Sequence, residues 1–294
     1  MSPLGRLVRR SAFPIALSSA SLSLFLSIML LDVALDRRAL HLFLIVLLAT
    51  LAVYGLDRWL EERPSGRRAV PGDAPPDTRI RPRWAMPWLC AIIALYAGAV
   101  ALAALSTAPV LALVVASPLI VVCYSTDSPL YGGRWRFAIK RVPLAKDLYI
   151  AAGWTFLGPL ALLHYGSPPT APDCALLGLM FVKLLIMASL YDFKDVSQDR
   201  REGTWTLQVA YGERRARSVL WALNGAATLG FLALALLPGH PTGTLLMLPL
   251  ALYQHMLIVI CREDASEWVF LGLCDLEQTV WLLALIAWGA VPWD

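Results

Sequence analysis

The 294-residue chain is 58% hydrophobic and only 16% charged. Soluble domains run near about 45–50% apolar and about 25% charged, so the composition argues against an ordinary water-soluble enzyme and excludes a disordered chain. The net charge is +4, and four lysines among 25 basic residues leave 21 arginines, an excess that points to a GC-rich genome more than to a nucleic-acid surface.

Apolar stretches fall in order at 12–31, 39–56, 85–105, 108–124, 147–165, 173–191, 216–237, 243–261 and 268–290. Each has helix length and none alternates as a barrel strand would. At roughly 20 residues per span, nine spans use about 180 residues and leave only short connections. Residues 1–294 therefore read as a single all-α domain, a polytopic bundle of nine transmembrane helices. The opening MSPLGRLVRRSAFPIALSS could begin a secretory signal, but its apolar run continues to Leu31 and reads as a retained first span. The five cysteines (Cys90, Cys123, Cys174, Cys261, Cys274) form no CxxC pair and read as small buried thiols.

The connections alternate in character. The N-terminus and the even-numbered loops hold 22 of the 25 basic residues, against only Arg37 and Arg38 on the opposite side, with Lys183 inside a span. The positive-inside rule then places those loops in the cytoplasm and the C-terminus outside, in what reads as a bacterial cytoplasmic membrane. The Pro-, Gly- and Arg-rich loop 63–84 reads as a tether drawn to anionic lipid of the bilayer.

Three of these cytoplasmic loops carry chemistry. In YDFKDVSQDRREGTWTL (191–207), Asp192, Asp195 and Asp199 have i, i+3, i+7 spacing. They lie within about 60° of one another on a helix. Like charges so arranged repel, and Mg²⁺, which takes oxygen ligands and bridges carboxylates to phosphates, is the economical counterion. Lys194, Arg200 and Arg201 could add phosphate contacts. In VYGLDRWLEERP (53–64), Asp57 and Glu61 stack at i, i+4 where the second span ends, beside Arg58. In CYSTDSPLYGGRWRFAIKRVPLAKD (123–147), Tyr124 marks the exit of the fourth span, and Arg134, Arg136, Lys140, Arg141 and Lys146 follow. Acids that hold Mg²⁺ and bases that hold phosphate oxygens, gathered on one face, suit a metal-bound diphosphate.

On these motifs the whole chain resembles the UbiA superfamily of intramembrane prenyltransferases. The family's second aspartate motif, DxxDxxxD with basic residues and a Gly-Thr-like tail, is matched by Asp192, Asp195, Asp199, Arg200, Gly203 and Thr206. Its YxxxK-type loop resembles the stretch from Tyr124, with Lys140 or Arg141 as the displaced cation, and Arg9 or Arg10 resembles the basic residue before its first span. The first motif, NDxxDxxxD, departs: Val53 and Tyr54 replace the leading pair, while Asp57 and Glu61 keep the later acids. The resemblance implies Mg²⁺-assisted ionisation of an isoprenyl diphosphate. Metal would be held by Asp57, Glu61, Asp192, Asp195 and Asp199, and diphosphate by Arg58, Tyr124, Lys140, Arg141 and Arg200. An acceptor, aromatic or lipid, would then be prenylated. Two alternatives stay open: a terpene cyclase on the same fold, whose nucleophile is the substrate's own double bond, and a catalytically silent lipid-binding membrane protein.

Inside the spans, Lys183 and two acids, Asp275 and Glu277, fall at similar depth. A lone charge there costs about 2.5–3.5 kcal/mol even on the lenient insertion scale, so Lys183 is expected to pair with one of these acids. The orientation is open to a direct test. A cysteine placed at Gly133 in a cysteine-free background should resist an impermeant thiol reagent in intact cells and react after lysis; labelling from outside would overturn the topology.

Overall fold

A computed structural model describes residues 12–61, 82–124, 144–202, 204–237, 245–266 and 268–288. Most of the loop 63–84, Gly133, Lys140, Arg141 and Gly203 lie outside the described residues, as do the side chains of Glu61 and Tyr124 at their helix ends. Among the described residues every regular element is helical: α1 (Phe13–Leu31), α2 (Arg37–Glu61), α3 (Pro82–Ala104), α4 (Ala108–Tyr124), α5 (Ala145–Thr155), α6 (Leu157–Tyr165), α7 (Ala171–Glu202), α8 (Leu207–Tyr211), α9 (Glu213–Ala235), α10 (Met247–Ile260), a π-helical turn (Val269–Cys274) and α11 (Glu277–Ala287).

Six of these units are long and apolar enough to cross a membrane: α1, α2, α3, α5 with α6, α7 and α9. The chain is an integral membrane protein. The remaining apolar segments form the shorter α4 and α10 and the divided π–α11 unit. Of the cysteines, Cys261 and Cys274 are buried with sulfurs 3.5 Å apart, whereas Cys90 and Cys174 sit on the outer surface of the bundle, where a thiol is as compatible with lipid as with a core.

Helix α1 is the most enclosed of the six. Its buried serines turn inward: Ser19, Ser23 and Ser27 donate to carbonyls three or four residues back, and Ser18 bonds Gln278 of α11. Phe25 of α1 packs on Trp281 of α11 with ring centroids 5.8 Å apart. Lipid tails are as apolar as leucine, so close backbone approach and polar contacts hold such helices together. Two glycines permit that approach to α7. A Cβ at Gly158 of α6 would lie 2.2 Å from a Leu177 methyl, and one at Gly230 of α9 2.4 Å from a Leu179 methyl.

Backbone breaks are repaired locally. Pro118 in α4 leaves the Val114 carbonyl without its helical donor; Ser117 Oγ donates to it at 2.8 Å, and Tyr96 of α3 donates to the next carbonyl, of Val115, at 2.9 Å. Arg217 of α9 caps α10 by donating to the carbonyls of Ile258, Val259 and Cys261.

Helix α7 has 32 residues, about 48 Å at 1.5 Å each, well beyond the roughly 30 Å of a hydrocarbon core. A helix of that length exceeds the apolar layer unless it tilts, and the aspartate face occupies its C-terminal turns. Deeper in α7, Lys183 is fully buried and donates to Asn224 Oδ1 of α9 at 2.5 Å. Of the two acids expected as partner, Glu277 is the one whose charge acts on Lys183, but no ion pair within 4 Å joins them, and Asp275 bonds Tyr191 instead. A neutral amide took the place of a carboxylate because Asn224 satisfies one ammonium proton and, through Nδ2, the Ala251 carbonyl of α10 at 3.0 Å. Replacing Asn224 by leucine leaves that ammonium short of a bond worth about 1.5–3 kcal/mol. The variant is expected to melt several degrees lower in detergent; an unchanged melting temperature would show that Lys183 draws its stability from elsewhere.

Candidate active site

Helix α7 packs on α5 and the π segment, and α2 reaches α5 through Tyr54 and Trp154. Lys146, at the start of α5, places its Nζ 2.7 Å from Asp192 Oδ1 and 3.8 Å from Asp199 Oδ2. Its neighbour Asp147 is 1% exposed; it accepts from Ser189 Oγ at 2.8 Å and meets Asp192 carboxyl to carboxyl. Gln208 of α8 donates to the Ser189 carbonyl at 2.6 Å, and the Leu144 amide bonds the Trp205 carbonyl at 3.2 Å. The segment after α7 thus folds back on it and fixes where α5 begins. Thr204 N bonds the Asp199 carbonyl and Thr206 caps α8, giving the Thr of the motif tail a structural role.

The other members of the aspartate face stand round this core. Asp195 is half-buried and Arg200 exposed on α7. Asp57 and Arg58 are half-buried near the end of α2, within charge range of Tyr54, which hydrogen-bonds Trp154 of α5. The first-motif side is linked to the second through Asp275. This acid occupies the turn between the π segment and α11, bonds Tyr191 next to Asp192, and lies within charge range of Arg58 and Lys194. Lys194 itself sits over the Phe270 ring at 5.8 Å.

The structure therefore brings Asp192 and Asp199 together. It adds two residues that the sequence does not mark for this site, Asp147 and Asp275, and singles out Lys146 from the basic group of its loop and Tyr54 from the altered first motif. The available signal was the Lys-Asp pair where the fifth span enters the membrane. By sequence Lys146 is one basic residue of its loop among several, and Asp275 is a candidate partner for Lys183.

The donor set suits a hard divalent cation. Asp147 Oδ1 and Asp192 Oδ2 are buried without a hydrogen-bond partner, and touching carboxyl groups need a cation or a shared proton between them. Among the described residues no three His, Cys, Asp or Glu side chains are gathered tightly enough to hold an ion by themselves; at this face the Lys146 ammonium stands against Asp192 and Asp199.

The model of the UbiA prenyltransferase family matches residues 37–283. The chain belongs to this family. No curated protein shows significant sequence similarity to it. Solved structures share its fold at low identity. A UbiA homologue from Archaeoglobus fulgidus bound to DMAPP and Mg²⁺ superposes with a TM-score of 0.65 at 16% identity, over 97% of this chain and 98% of that one. The same homologue bound to GPP and Mg²⁺ gives 0.62 at 14% identity, covering 97% and 99%. A UbiA homologue from Aeropyrum pernix K1 gives 0.56 at 18% identity, covering 95% of each chain.

If Lys146 is the cation that offsets the carboxyl cluster, Lys146→Met should destabilise the protein by up to about 3 kcal/mol in the absence of divalent ions. Added Mg²⁺ should raise the melting temperature of the variant more than that of the wild type. Equal responses would show that the ion does not bind among these acids.

Proposed function

We propose that this protein ionises an isoprenyl diphosphate with Mg²⁺ and transfers the prenyl group to an acceptor. The observation that carries the reading is the convergence of Lys146, Asp147, Asp192 and Asp199 at the motif end of a UbiA-family bundle. The Archaeoglobus fulgidus homologues bound to DMAPP or GPP with Mg²⁺ support the substrate class and the metal. In this reading the bundle has nine spans, with α4, α10 and the π–α11 unit as the shorter ones. The motif loops face the cytoplasm and the C-terminus lies outside.

Asp192, Asp195, Asp199 and Asp57, with Glu61 and Asp147, would hold Mg²⁺, which when bound neutralises charge on the leaving diphosphate. Arg58, Lys146, Arg200, Tyr124, Lys140 and Arg141 would hold diphosphate oxygens and keep the leaving group oriented. Asp275 and Tyr191 fix the wall between the two motif sides. The apolar bundle takes the prenyl chain and keeps water from the allylic cation.

One observation favours cyclisation as the second reading. Tyr54 stands where the family's first motif carries an acid, and it is bonded to Trp154, which turns part of a metal face into an aromatic one suited to a cation.

The test is purified protein in detergent with Mg²⁺ and geranyl, farnesyl or geranylgeranyl diphosphate, with and without 4-hydroxybenzoate-like or lipid acceptors. A prenylated product that requires acceptor supports transfer. Terpene without acceptor supports cyclisation. No diphosphate release from any of them argues against both enzymatic readings. Asp192→Ala and Asp195→Ala are each expected to abolish activity with normal membrane insertion, and Asp57→Asn to raise the Mg²⁺ requirement more than Glu61→Gln. Near-wild-type turnover of either alanine variant at saturating Mg²⁺ would overturn the metal assignment.

A further inference from the structure

The carboxyl cluster has a contact from within α7 that the chemistry above does not use. Ser189 is buried and stands three residues before Asp192, on the same side of the helix. A hydroxyl on a helix usually donates to a carbonyl one turn back. Ser19, Ser23 and Ser27 of α1, Thr155 of α5 and Thr228 of α9 all do so. Ser189 instead gives its one proton to another helix, to Asp147 Oδ2 of α5 at 2.8 Å. Its carbonyl takes the Gln208 side-chain amide of α8 at 2.6 Å, so the residue is gripped from both sides.

That bond decides how the two buried acids face each other. Asp147 Oδ2 is held by Ser189 and Asp192 Oδ1 by Lys146. This leaves Asp147 Oδ1 and Asp192 Oδ2, both buried, with no partner but each other where the two carboxyl groups meet. A competing arrangement is close at hand. Lys146 is the chain neighbour of Asp147 and its charge acts on that carboxyl. An Asp147 free to rotate would give an oxygen to the ammonium and withdraw it from Asp192. A hard dication needs its oxygens already in place: Mg²⁺ tolerates little departure from octahedral geometry. Groups that orient metal ligands are worth about 10–100-fold in affinity.

We propose that Ser189 is a positioning residue for the metal: its hydroxyl holds Asp147 with Oδ1 turned to Asp192, so that the two acids, one from α5 and one from α7, take the same Mg²⁺. The inference rests on the Mg²⁺-diphosphate reading above. Ser189 touches neither ion nor substrate and moves no proton; it acts through Asp147. It also links the motif tail to the metal, since Gln208, on the helix that Thr206 caps, holds the Ser189 carbonyl.

The test reads Mg²⁺ affinity in two ways. One is the rise in melting temperature of the purified protein in detergent across a MgCl₂ titration without substrate. The other is the Mg²⁺ concentration that half-saturates diphosphate release from the prenyl diphosphates named above. Ser189→Ala is expected to raise both midpoints about tenfold. Its turnover at saturating Mg²⁺ should stay within about threefold of wild type. Ser189→Thr, which keeps the hydroxyl, should hold both midpoints within about threefold of wild type. In an Asp147→Asn background, Ser189→Ala should add less than about twofold, because the group it acts through is already gone. Unchanged midpoints in Ser189→Ala, or a rise that persists in full in the Asp147→Asn background, overturn the proposal. Wild-type protein that neither melts higher with Mg²⁺ nor releases diphosphate overturns the underlying reading instead. Should Ser189→Ala fail to fold, the near-isosteric Ser189→Cys, a weak donor, takes its place. Midpoints raised above those of Ser189→Thr support the positioning role; midpoints equal to wild type overturn it.

Discussion

The Lys146 ammonium, 2.7 Å from Asp192 and 3.8 Å from Asp199, is what allows several carboxyl groups to share one end of an apolar bundle. Asp147 and Asp192 are each 1% exposed and touch, and two such groups in a low-dielectric setting repel unless they share a proton or a positive charge lies between or beside them. The arrangement fixes the start of α5 against the end of α7, and with it the folded-back segment of Thr204, Thr206 and Gln208. The charge cluster that would bind a metal-bound diphosphate and the contacts that hold this end of the bundle together are the same contacts.

The rest of the bundle follows from keeping α7 in place. It is gripped through Gly158 and Gly230, whose missing side chains let α6 and α9 approach Leu177 and Leu179. It is also pinned at Lys183, which bonds Asn224 while its carbonyl receives Gln254. In lipid, packing of this kind and interhelical hydrogen bonds replace the hydrophobic drive available in water. Irregular backbone serves the interior near the site: the π turn and the break at Asp275–Leu276 bring Asp275 to Tyr191. Non-helical backbone at membrane depth is tolerated where protein buries it or where it lines a polar site.

Helix-period apolar runs determined the all-helical membrane class without help, because a bilayer imposes a minimum length of apolar sequence that few other folds need. The i, i+3, i+7 spacing of Asp192, Asp195 and Asp199 was legible for the same kind of reason: on a helix, spacing alone fixes the face. What lay on another helix was not legible. By sequence Lys146 is one loop cation among five and Asp147 by itself carries no signal, and only the docking of α5 on α7 makes them part of the aspartate cluster. Tyr54 looked like a lost ligand until it met Trp154. Lys183 carried the clearest sequence expectation, a buried cation needing a carboxylate. The structure gave it an amide, because the choice among Asn224, Asp275 and Glu277 depends on helix rotation and on a π-helical break that no local pattern announces. The sequence thus determined which groups could not stay alone in the membrane; the tertiary structure decided which partners they took, since contacts between helices distant in the chain are set by packing geometry rather than by spacing along it.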